Sequence, residues 1–423
     1  MARSLAHRLR PRIVARTVRS LRHRDYRRFL FGHAVSVIGT WMQRVAQDWL
    51  VVQLTDNGLA LGITSALQFL PTLLLGLWGG ALVDRLDRRR LLIGTQTASA
   101  LLAAALAVLS LTGLVQLWMV YALALGLGLV TVLDTPARQA LVTDKVPPED
   151  YANAQALNST VHNAGRLVGP ALAGVVIAVT GVGTAFAINA VSFVAVLIGL
   201  LRMAPEPPAA ADARRTTPTG SLEGLRYVLA RPEMTATLVL VTVIGLFGQN
   251  FRVVLPLLAS DDLHSGASGY GALTSALGLG AALGALVAAS REEVGLRGVV
   301  WWTVAFAATN AATALTPGLS LTLVAVTAMG IANISFNTLT RTLLQLRAEK
   351  GLQGRVISLH SLVFLGTTPL GGPLLGWWCE RFGARAGLWL AAGTALLAAV
   401  AVLPILRRVK ATASAGDATS STR

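Results

Sequence analysis

The sequence contains few charged residues and a single cysteine. Charged residues make up 13% of the 423 residues, about half of their share in an average soluble protein. Such a chain cannot cover a water-facing surface, so much of its surface is expected to face lipid. The single cysteine, Cys379, excludes a disulfide within the chain and a cysteine-based metal cluster.

The few lysines and the scattered histidines exclude a nucleotide-driven pump and argue against a metal site. The lysines are Lys145, Lys350 and Lys410, and none follows the glycine pattern of a phosphate-binding loop, which excludes an ATP-driven pump on this chain. The histidines show no metal-ligand spacing, so we expect no metal site, no cofactor and no enzyme. They are His7, His23, His33, His162, His264 and His360.

Long apolar segments dominate what is present. Hydrophobic residues make up 54% of the chain, and the mean hydropathy is +0.61. A bilayer-spanning helix needs about 20 residues, and a spanning backbone must satisfy its own hydrogen bonds, so we predict an all-α integral membrane protein. The twelve predicted segments are 29–54, 59–83, 91–112, 117–142, 153–179, 184–203, 234–258, 268–290, 298–316, 319–343, 355–380 and 386–406.

Basic residues outnumber acidic residues by 36 to 20, and all of their clusters fall on one side if the twelve segments alternate. The exceptions on the other side are Arg381 and Arg385. By the positive-inside rule, both termini are cytoplasmic, in a multi-pass protein of a bacterial-type inner membrane. The expected neighbours of this charge are anionic lipid headgroups and not nucleic acid. The clusters lie at 3–28, 85–90, 204–233, 291–297, 347–355 and 407–410.

The polar stretch 204–221 divides the segments into six and six. Its proline, alanine and charged residues are typical of a flexible linker. The predicted organisation is a basic segment at 1–28, a bundle at 29–203, a linker at 204–222, a bundle at 223–406 and a tail at 407–423. A short interfacial helix is expected at 222–230, and the tail is expected to be disordered from 411 onward.

The two halves contain matching motifs. VSVIGTWMQ at 35–43 matches VTVIGLFGQ at 241–249, which is 206 residues later. DTPAR at 134–138 matches NTLTR at 337–341, and GPALAG at 169–174 matches GPLLGW at 372–377, both 203 residues later. Duplicated six-helix halves indicate a transporter that moves about a midplane site.

Several motifs resemble the major facilitator superfamily. GALVDRLDRR at 80–89 resembles its loop between helices 2 and 3, with Asp87 where glycine is usual, and NAGRLVGPALAG at 163–174 resembles the helix 5 signature of its antiporters. GTWMQRVAQDWLV and DTPARQALV are most similar to its drug and siderophore exporters, which include enterobactin and macrolide efflux proteins. The resemblance implies twelve helices in two pseudo-symmetric six-helix bundles, a small-molecule substrate and a functional monomer.

The resemblance also implies a cytoplasmic gate. Asp84 would lie near the start of helix 11, around Gly354 and Arg355, while Arg85 and Arg88 would pair with acids at the end of segment 4 and so stabilise the outward-open state. The candidate acids are Asp144 and Glu149. The alternative is a loop that only sets topology. The gate residues are Gly80, Asp84, Arg85, Arg88 and Arg89.

Charged pairs within the segments are candidates for proton coupling. Arg44 and Asp48 lie one helical turn apart and can pair, and Asp134 and Arg138 repeat this spacing with the signs reversed. Burial raises a carboxyl pKa and a nearby arginine lowers it, so a pair that opens during transport could release and bind a proton. Asp134 is the first candidate and Asp48 the second. Alternatively, both pairs only orient helices.

Other polar residues complete the predicted pathway. Arg166 and Arg252 have no acid one turn away, and together with Arg44 they favour a neutral or anionic cargo, unless they bond backbone carbonyls or line a water path. The predicted substrate and proton pathway comprises Gln43, Arg44, Asp48, Asp134, Arg138, Arg166, Gln249, Asn250, Arg252, Asn337 and Arg341. Close packing or hinge motion is expected at Gly165, Gly169, Pro170, Gly174, Gly372 and Pro373.

These features predict a secondary active transporter that exports small molecules, with protons as the coupling ion and alternating access as the mechanism. An importer that runs by proton symport remains the alternative, because function depends on the site and not on the fold. A sensor on a transporter fold is a further alternative, which the retained intramembrane charges disfavour.

Overall fold

The structure is a computed structural model that describes residues 19–203, 220–290 and 294–420. Within these ranges the chain forms helices and turns without any strand. Most of the basic N-terminal segment and nearly all of the predicted linker lie outside the described residues, as does Arg291.

Six long helices form the first half, and they coincide with the first six predicted segments. Short 3-10 turns precede the first helix at Arg19–Arg22 and the fifth at Pro148–Asp150. The helices are α1 (Arg24–Thr55), α2 (Gly58–Val83), α3 (Arg88–Leu111), α4 (Leu117–Asp144), α5 (Tyr151–Thr180) and α6 (Val182–Leu201).

The second half follows a short connecting helix, Gly220–Leu229, which confirms the helix predicted at 222–230. Its own six segments are again helical, and the seventh consists of two pieces. They are α7a (Pro232–Phe247), α7b (Phe251–Leu257), α8 (Gly266–Ala289), α9 (Leu296–Leu315), α10 (Leu319–Arg347), α11 (Gln353–Phe382) and α12 (Ala384–Ser420). A π-helical turn, Leu258–Asp262, continues α7b.

Ten helical segments of the described chain are long and apolar enough to cross a membrane. The two long helices outside this set are α1 and α11. In α1 the pathway residues Gln43, Arg44 and Asp48 reduce the mean apolarity, and α11 carries polar residues such as His360 and Thr367.

The prediction of a continuous seventh helix over 234–258 was wrong. The chain leaves the helix at Gly248 and re-enters it at Phe251. The side-chain amide of Asn250 donates to the carbonyl of Leu246 at 2.8 Å, which is the acceptor that its backbone N–H would use in a continuous helix. This side-chain competition, together with the low helix propensity of glycine at 248, accounts for the break.

The prediction of a disordered tail was also wrong, because α12 continues to Ser420. No proline follows Pro404 in the sequence, and the alanines that succeed it have the highest helix propensity of any residue. The helix therefore continues through most of the segment predicted at 407–423.

The loop between α2 and α3 needs no glycine at position 87. Asp87 has φ −62° and ψ 111°, and its carboxylate accepts from the backbone N–H of Arg90 at 2.9 Å. Asp87 is therefore the N-cap of α3, and this interaction replaces the conformational freedom that glycine gives related loops.

The chain divides into two compact units. Unit 1 comprises Met1–Gln47 and Leu74–Arg214, and unit 2 comprises Asp48–Leu73 and Arg215–Arg423. Helix α1 passes from unit 1 into unit 2 after Gln47, and α2 returns to unit 1 after Leu73. Each site described below lies within a single unit.

Small residues let helices approach closely in both units. In unit 1, a Cβ atom on Gly169 of α5 would lie 2.5 Å from the Cβ of Trp41 in α1, and Gly165 is equally close to Val37. In unit 2, Gly62 of α2 packs on the backbone of Gly372 in α11. Close backbone approach of this kind drives helix association in a bilayer.

Candidate substrate and proton pathway

The predicted pair between Asp134 and Arg138 is present on α4 in unit 1. The guanidinium of Arg138 contacts the Asp134 carboxylate at 2.6 Å. The other carboxylate oxygen accepts from the amide of Gln96 at 2.6 Å and from the hydroxyl of Thr95 at 2.9 Å, both on α3. Asp134 thus has one cationic and two neutral donors, and its side chain remains 16% exposed.

His33 of α1 is a second partner of Arg138. The guanidinium donates from Nη1 to Nδ1 of His33 at 2.7 Å. An arginine can only donate, so this contact requires His33 to be neutral with its proton on Nε2. The imidazole is buried and stacks on Phe29, with 5.5 Å between ring centroids. His33 was missed as a site residue because 105 residues separate it from Arg138.

Two further predicted arginines of unit 1 share one aromatic ring. The guanidinium carbon of Arg44 lies 4.6 Å from the ring centroid of Trp41, and that of Arg166 lies 5.9 Å from the same centroid. The imidazole of His162 meets this indole edge-on at 5.9 Å. Cation–π contacts stabilise the positive charges here. Nearby along α1, the side-chain oxygen of Gln43 accepts from Asn189 at 2.5 Å.

Asp48 and Arg252 form a buried ion pair in unit 2. Two nitrogens of Arg252 bind the two oxygens of Asp48, at 2.6 and 2.9 Å. The hydroxyl of Tyr270 donates to Asp48 at 2.8 Å, and Arg252 also donates to Gln68 at 2.6 Å. The residue Asp48 is 2% exposed. A bidentate arginine contact of this kind is among the strongest hydrogen-bonded pairs in proteins.

The Asp48–Arg252 pair differs from two expectations that rested on the sequence spacing of the charged residues. The i, i+4 spacing pointed to Arg44 as the partner of Asp48, whereas the bidentate partner is Arg252, 204 residues away. Arg252 also adds no unpaired charge to the core, contrary to the expectation, because Asp48 neutralises it. Asn250, which was also predicted to line the pathway, instead bonds the carbonyl of Leu246 at the helix break described above.

The predicted residues Asn337 and Arg341 of α10 lie at a pocket of about 500 Å³ in unit 2. Within the described residues, Arg341 makes no hydrogen bond or ion pair, and none of the residues that line the pocket is acidic. The side-chain oxygen of Asn337 accepts from Gln249 at 3.2 Å, and its amide donates to Asn333 at 2.5 Å.

The opposite wall of the pocket belongs to α11 and was not predicted from sequence. His360, Ser361 and Phe364 contribute to it. His360 is buried, stacks on Phe364 with 6.2 Å between centroids, and lies 3.4 Å from the hydroxyl of Thr340. The four-residue spacing of His360 and Phe364 was the sequence signal for a shared helix face, but their proximity to α10 could not be read from it.

The gate residues form several contacts within unit 1. Arg88 forms the predicted ion pair with Asp144 at the end of α4. Arg89 donates to the carbonyls of Leu200 and Leu201 at 2.7 and 3.0 Å, and so caps the last turn of α6. The other three members, Gly80, Asp84 and Arg85, lie at the end of α2 and in its loop. The predicted approach of Asp84 to helix 11 stays a prediction.

The glycines and prolines predicted as packing or hinge positions lie in uninterrupted helices. Pro170 lies within α5 and Pro373 within α11. Gly165, Gly169, Pro170 and Gly174 are all buried. Close packing at Gly165, Gly169 and Gly372 is therefore present, while hinge motion at any of these positions stays a prediction.

The architecture and the embedded charges define a class. In the described chain, long and mostly apolar helices carry ion pairs and a polar pocket, which is typical of multi-pass membrane transporters. Solved structures of low sequence identity share the fold. The nucleoside transporter NupG superposes with a TM-score of 0.74 over 90% of this chain and 99% of that chain, at 13% identity. A bacterial homologue of the iron transporter ferroportin, in an inward-facing state, gives 0.68 over 90% and 98%, at 17% identity.

Sequence similarity identifies the family. Residues 15–423 match the transmembrane secretion effector family. The multidrug efflux pump Tap of Mycolicibacterium fortuitum is 30% identical over 90% of this chain and 96% of its own length. The staphyloferrin A transporter of Staphylococcus aureus is 25% identical over 82% and 87%. The chain belongs to the transmembrane secretion effector family of the major facilitator superfamily, and it is a transporter and not an enzyme.

Proposed function

We propose that this chain exports small molecules across a bacterial inner membrane in exchange for protons, by alternating access. Both termini are cytoplasmic, and one chain is the functional unit. The direction of transport is supported by relatives that are named for efflux of drugs, macrolides and enterobactin. Proton coupling is supported by the embedded carboxylates.

The observation that carries the proposal is the arrangement around Asp134. Its carboxylate is partly accessible, and its cationic partner Arg138 is also held by His33. When Asp134 binds a proton, its attraction for Arg138 falls, and the contact with His33 keeps Arg138 in place. Loss of the proton restores the pair. Asp134 therefore binds the proton in one state of the cycle and releases it in the other.

Asp48 has a different role in this proposal. Its carboxylate accepts three hydrogen bonds and is almost fully buried. Protonation there would leave Arg252 without its counter-charge in a buried position, which is strongly destabilising. Asp48 therefore fixes α1, α7b and α8 together, and Asp134 carries the proton.

The test uses the full chain in liposomes with an imposed pH gradient of either sign. The compounds are 1-naphthaleneacetamide, which is neutral, 1-naphthaleneacetate, which is anionic, and ethidium, which is cationic. Movement of a compound against its own gradient, with protons moving the other way, supports the proposal. Uptake that follows the proton gradient would instead assign proton symport. Transport unaffected by either gradient would overturn proton coupling.

A further inference from the structure

We infer that the pocket between α10 and α11 binds an oxyanionic group of the cargo, a carboxylate or a similar anion on an apolar body, with Arg341 as its anchor. The inference rests on the proposed export function and specifies the substrate class. It concerns unit 2 alone.

The charge of Arg341 is compensated differently from that of two other embedded arginines. Arg138 in unit 1 and Arg252 in unit 2 each contact a carboxylate at 2.6 Å. Arg341 has no such partner among the described residues, and it lines a pocket without acidic residues. Arg341 is exposed, so its guanidinium is accessible to a ligand that enters the pocket. Such a ligand can supply the negative charge that Asp134 supplies to Arg138.

Two hydrogen bonds fix the side chain of Asn337. Its oxygen is held by Gln249 and its amide by Asn333. Asn337 is one helical turn from Arg341, in the position where Asp134 stands relative to Arg138, but it is neutral and already engaged. The guanidinium fork therefore remains available to bind a carboxylate through two parallel hydrogen bonds.

The pocket has the composition and the size of a small-molecule site. Thr338 and Ser361 line it beside Arg341, while Phe364 and Leu365 provide an apolar surface. Its volume of about 500 Å³ lies within the range of small-molecule sites, which combine apolar walls with a few placed polar groups. Such a lining fits an organic anion with an aromatic or aliphatic body better than a free inorganic ion.

The test compares two probes that differ only in charge. 1-Naphthaleneacetate and 1-naphthaleneacetamide are titrated into the full-length protein in phosphatidylcholine nanodiscs, without any pH gradient. The acetate is expected to bind about tenfold more tightly than the amide, or about 1.4 kcal/mol. Equal affinity for the two probes, or no measurable binding of the acetate, would overturn the inference.

Variants assign the preference to Arg341. Arg341→Gln is expected to abolish the preference for the acetate, and Arg341→Lys to retain part of it. Arg347→Gln is the matched control, because it removes the same charge from the same helix at an exposed position that pairs with Glu233. If Arg341→Gln does not fold, Arg341→Lys tests the assignment in its place. An undiminished preference for the acetate in Arg341→Lys would contradict bidentate binding by Arg341. A preference that survives in Arg341→Gln would overturn the assignment.

A lipid headgroup could supply the same oxyanion chemistry. The titration is therefore repeated in nanodiscs that contain phosphatidylglycerol. Retained binding of the acetate supports a soluble cargo, whereas its loss would assign the pocket to lipid and overturn the inference. Proton-coupled movement of any of the three compounds by the wild-type protein in liposomes tests the proposed function separately. The nanodisc titration involves no gradient and tests only the pocket, so either idea can fail while the other stands.

Discussion

Helices α4 and α10 occupy equivalent places in the repeated halves, and each has an arginine at the equivalent position. The partners of the two arginines differ. On α4, Arg138 contacts Asp134 and His33. On α10, Arg341 has no acidic partner in the described chain, because Asn337 replaces the aspartate. The two halves share the cation and its spacing but differ by one acid and one amide. On this difference we base the two proposals, that α4 binds the proton and that α10 binds the anion.

A histidine lies near each arginine, but the two histidines are not repeat partners. His33 is on α1, and the equivalent position on α7a is Val239. His360 is on α11, and the equivalent position on α5 is Leu157. The surroundings of the two arginines are therefore not repeated between the halves, although the arginines are.

The largest expected effect comes from making α4 resemble α10. Asp134→Asn removes the titratable group, and we expect proton-driven flux in liposomes to fall about 100-fold, which corresponds to about 2.7 kcal/mol. Exchange of labelled substrate without a pH gradient should persist, because it needs no net proton movement. Asp25→Asn, at a partly exposed position near the start of α1, is the control. Full proton coupling in Asp134→Asn would contradict the proposed carrier.

A smaller effect is expected from disturbing the break between α7a and α7b. Gln249 in this break bonds Asn337 of α10. Gly371 of α11 packs against the carbonyl of Leu246, and a Cβ there would lie 2.7 Å from the amide of Asn250. Gly371→Ala should lower the free energy of unfolding by about 2 kcal/mol through overpacking, seen as a lower Tm of the purified protein. Gly393→Ala, where a Cβ meets no atom within 4 Å, should leave the Tm unchanged. Equal Tm values for the two variants would show that the contact relaxes freely.

The reverse exchange, Asn337→Asp, should make α10 resemble α4. The new carboxylate lies one turn from Arg341 and can pair with it, so affinity for 1-naphthaleneacetate is expected to fall about tenfold, or about 1.4 kcal/mol. Titration calorimetry in nanodiscs measures the change, and the amide probe is the control because it carries no charge. Unchanged acetate affinity would mean that Arg341 does not contribute to anion binding.

The smallest effect is expected from substitution of Gln43 and Gln249, which occupy equivalent positions in the two halves. Gln249→Leu removes the contact with Asn337 at 3.2 Å, which should weaken acetate binding by about 0.5–1 kcal/mol through freer motion of Asn337. Gln43→Leu removes the buried bond to Asn189 and should instead lower the Tm, since it leaves a buried amide unpaired. If Gln249→Leu changes only the Tm, the glutamine is structural in both halves.

Features with local sequence signals could be predicted. Long apolar segments indicated the helices, and the four-residue spacing of Asp134 and Arg138 indicated their pair. The loop motif led to the contact of Arg88 with Asp144. In contrast, the partner of Asp48 lies 204 residues away. The residues that face Arg341 across the pocket lie on another helix, α11. The break near Asn250 depends on competition by one side chain, which apolar periodicity does not register.

The Asp48–Arg252 pair also has a consequence for biosynthesis. Because 204 residues separate the two partners, a ribosome adding about 5–20 residues per second needs roughly 10–40 s to reach Arg252 after Asp48. During that interval α1 carries an acid whose bidentate partner has not yet been made. An N-terminal half expressed alone would therefore keep this carboxylate without Arg252.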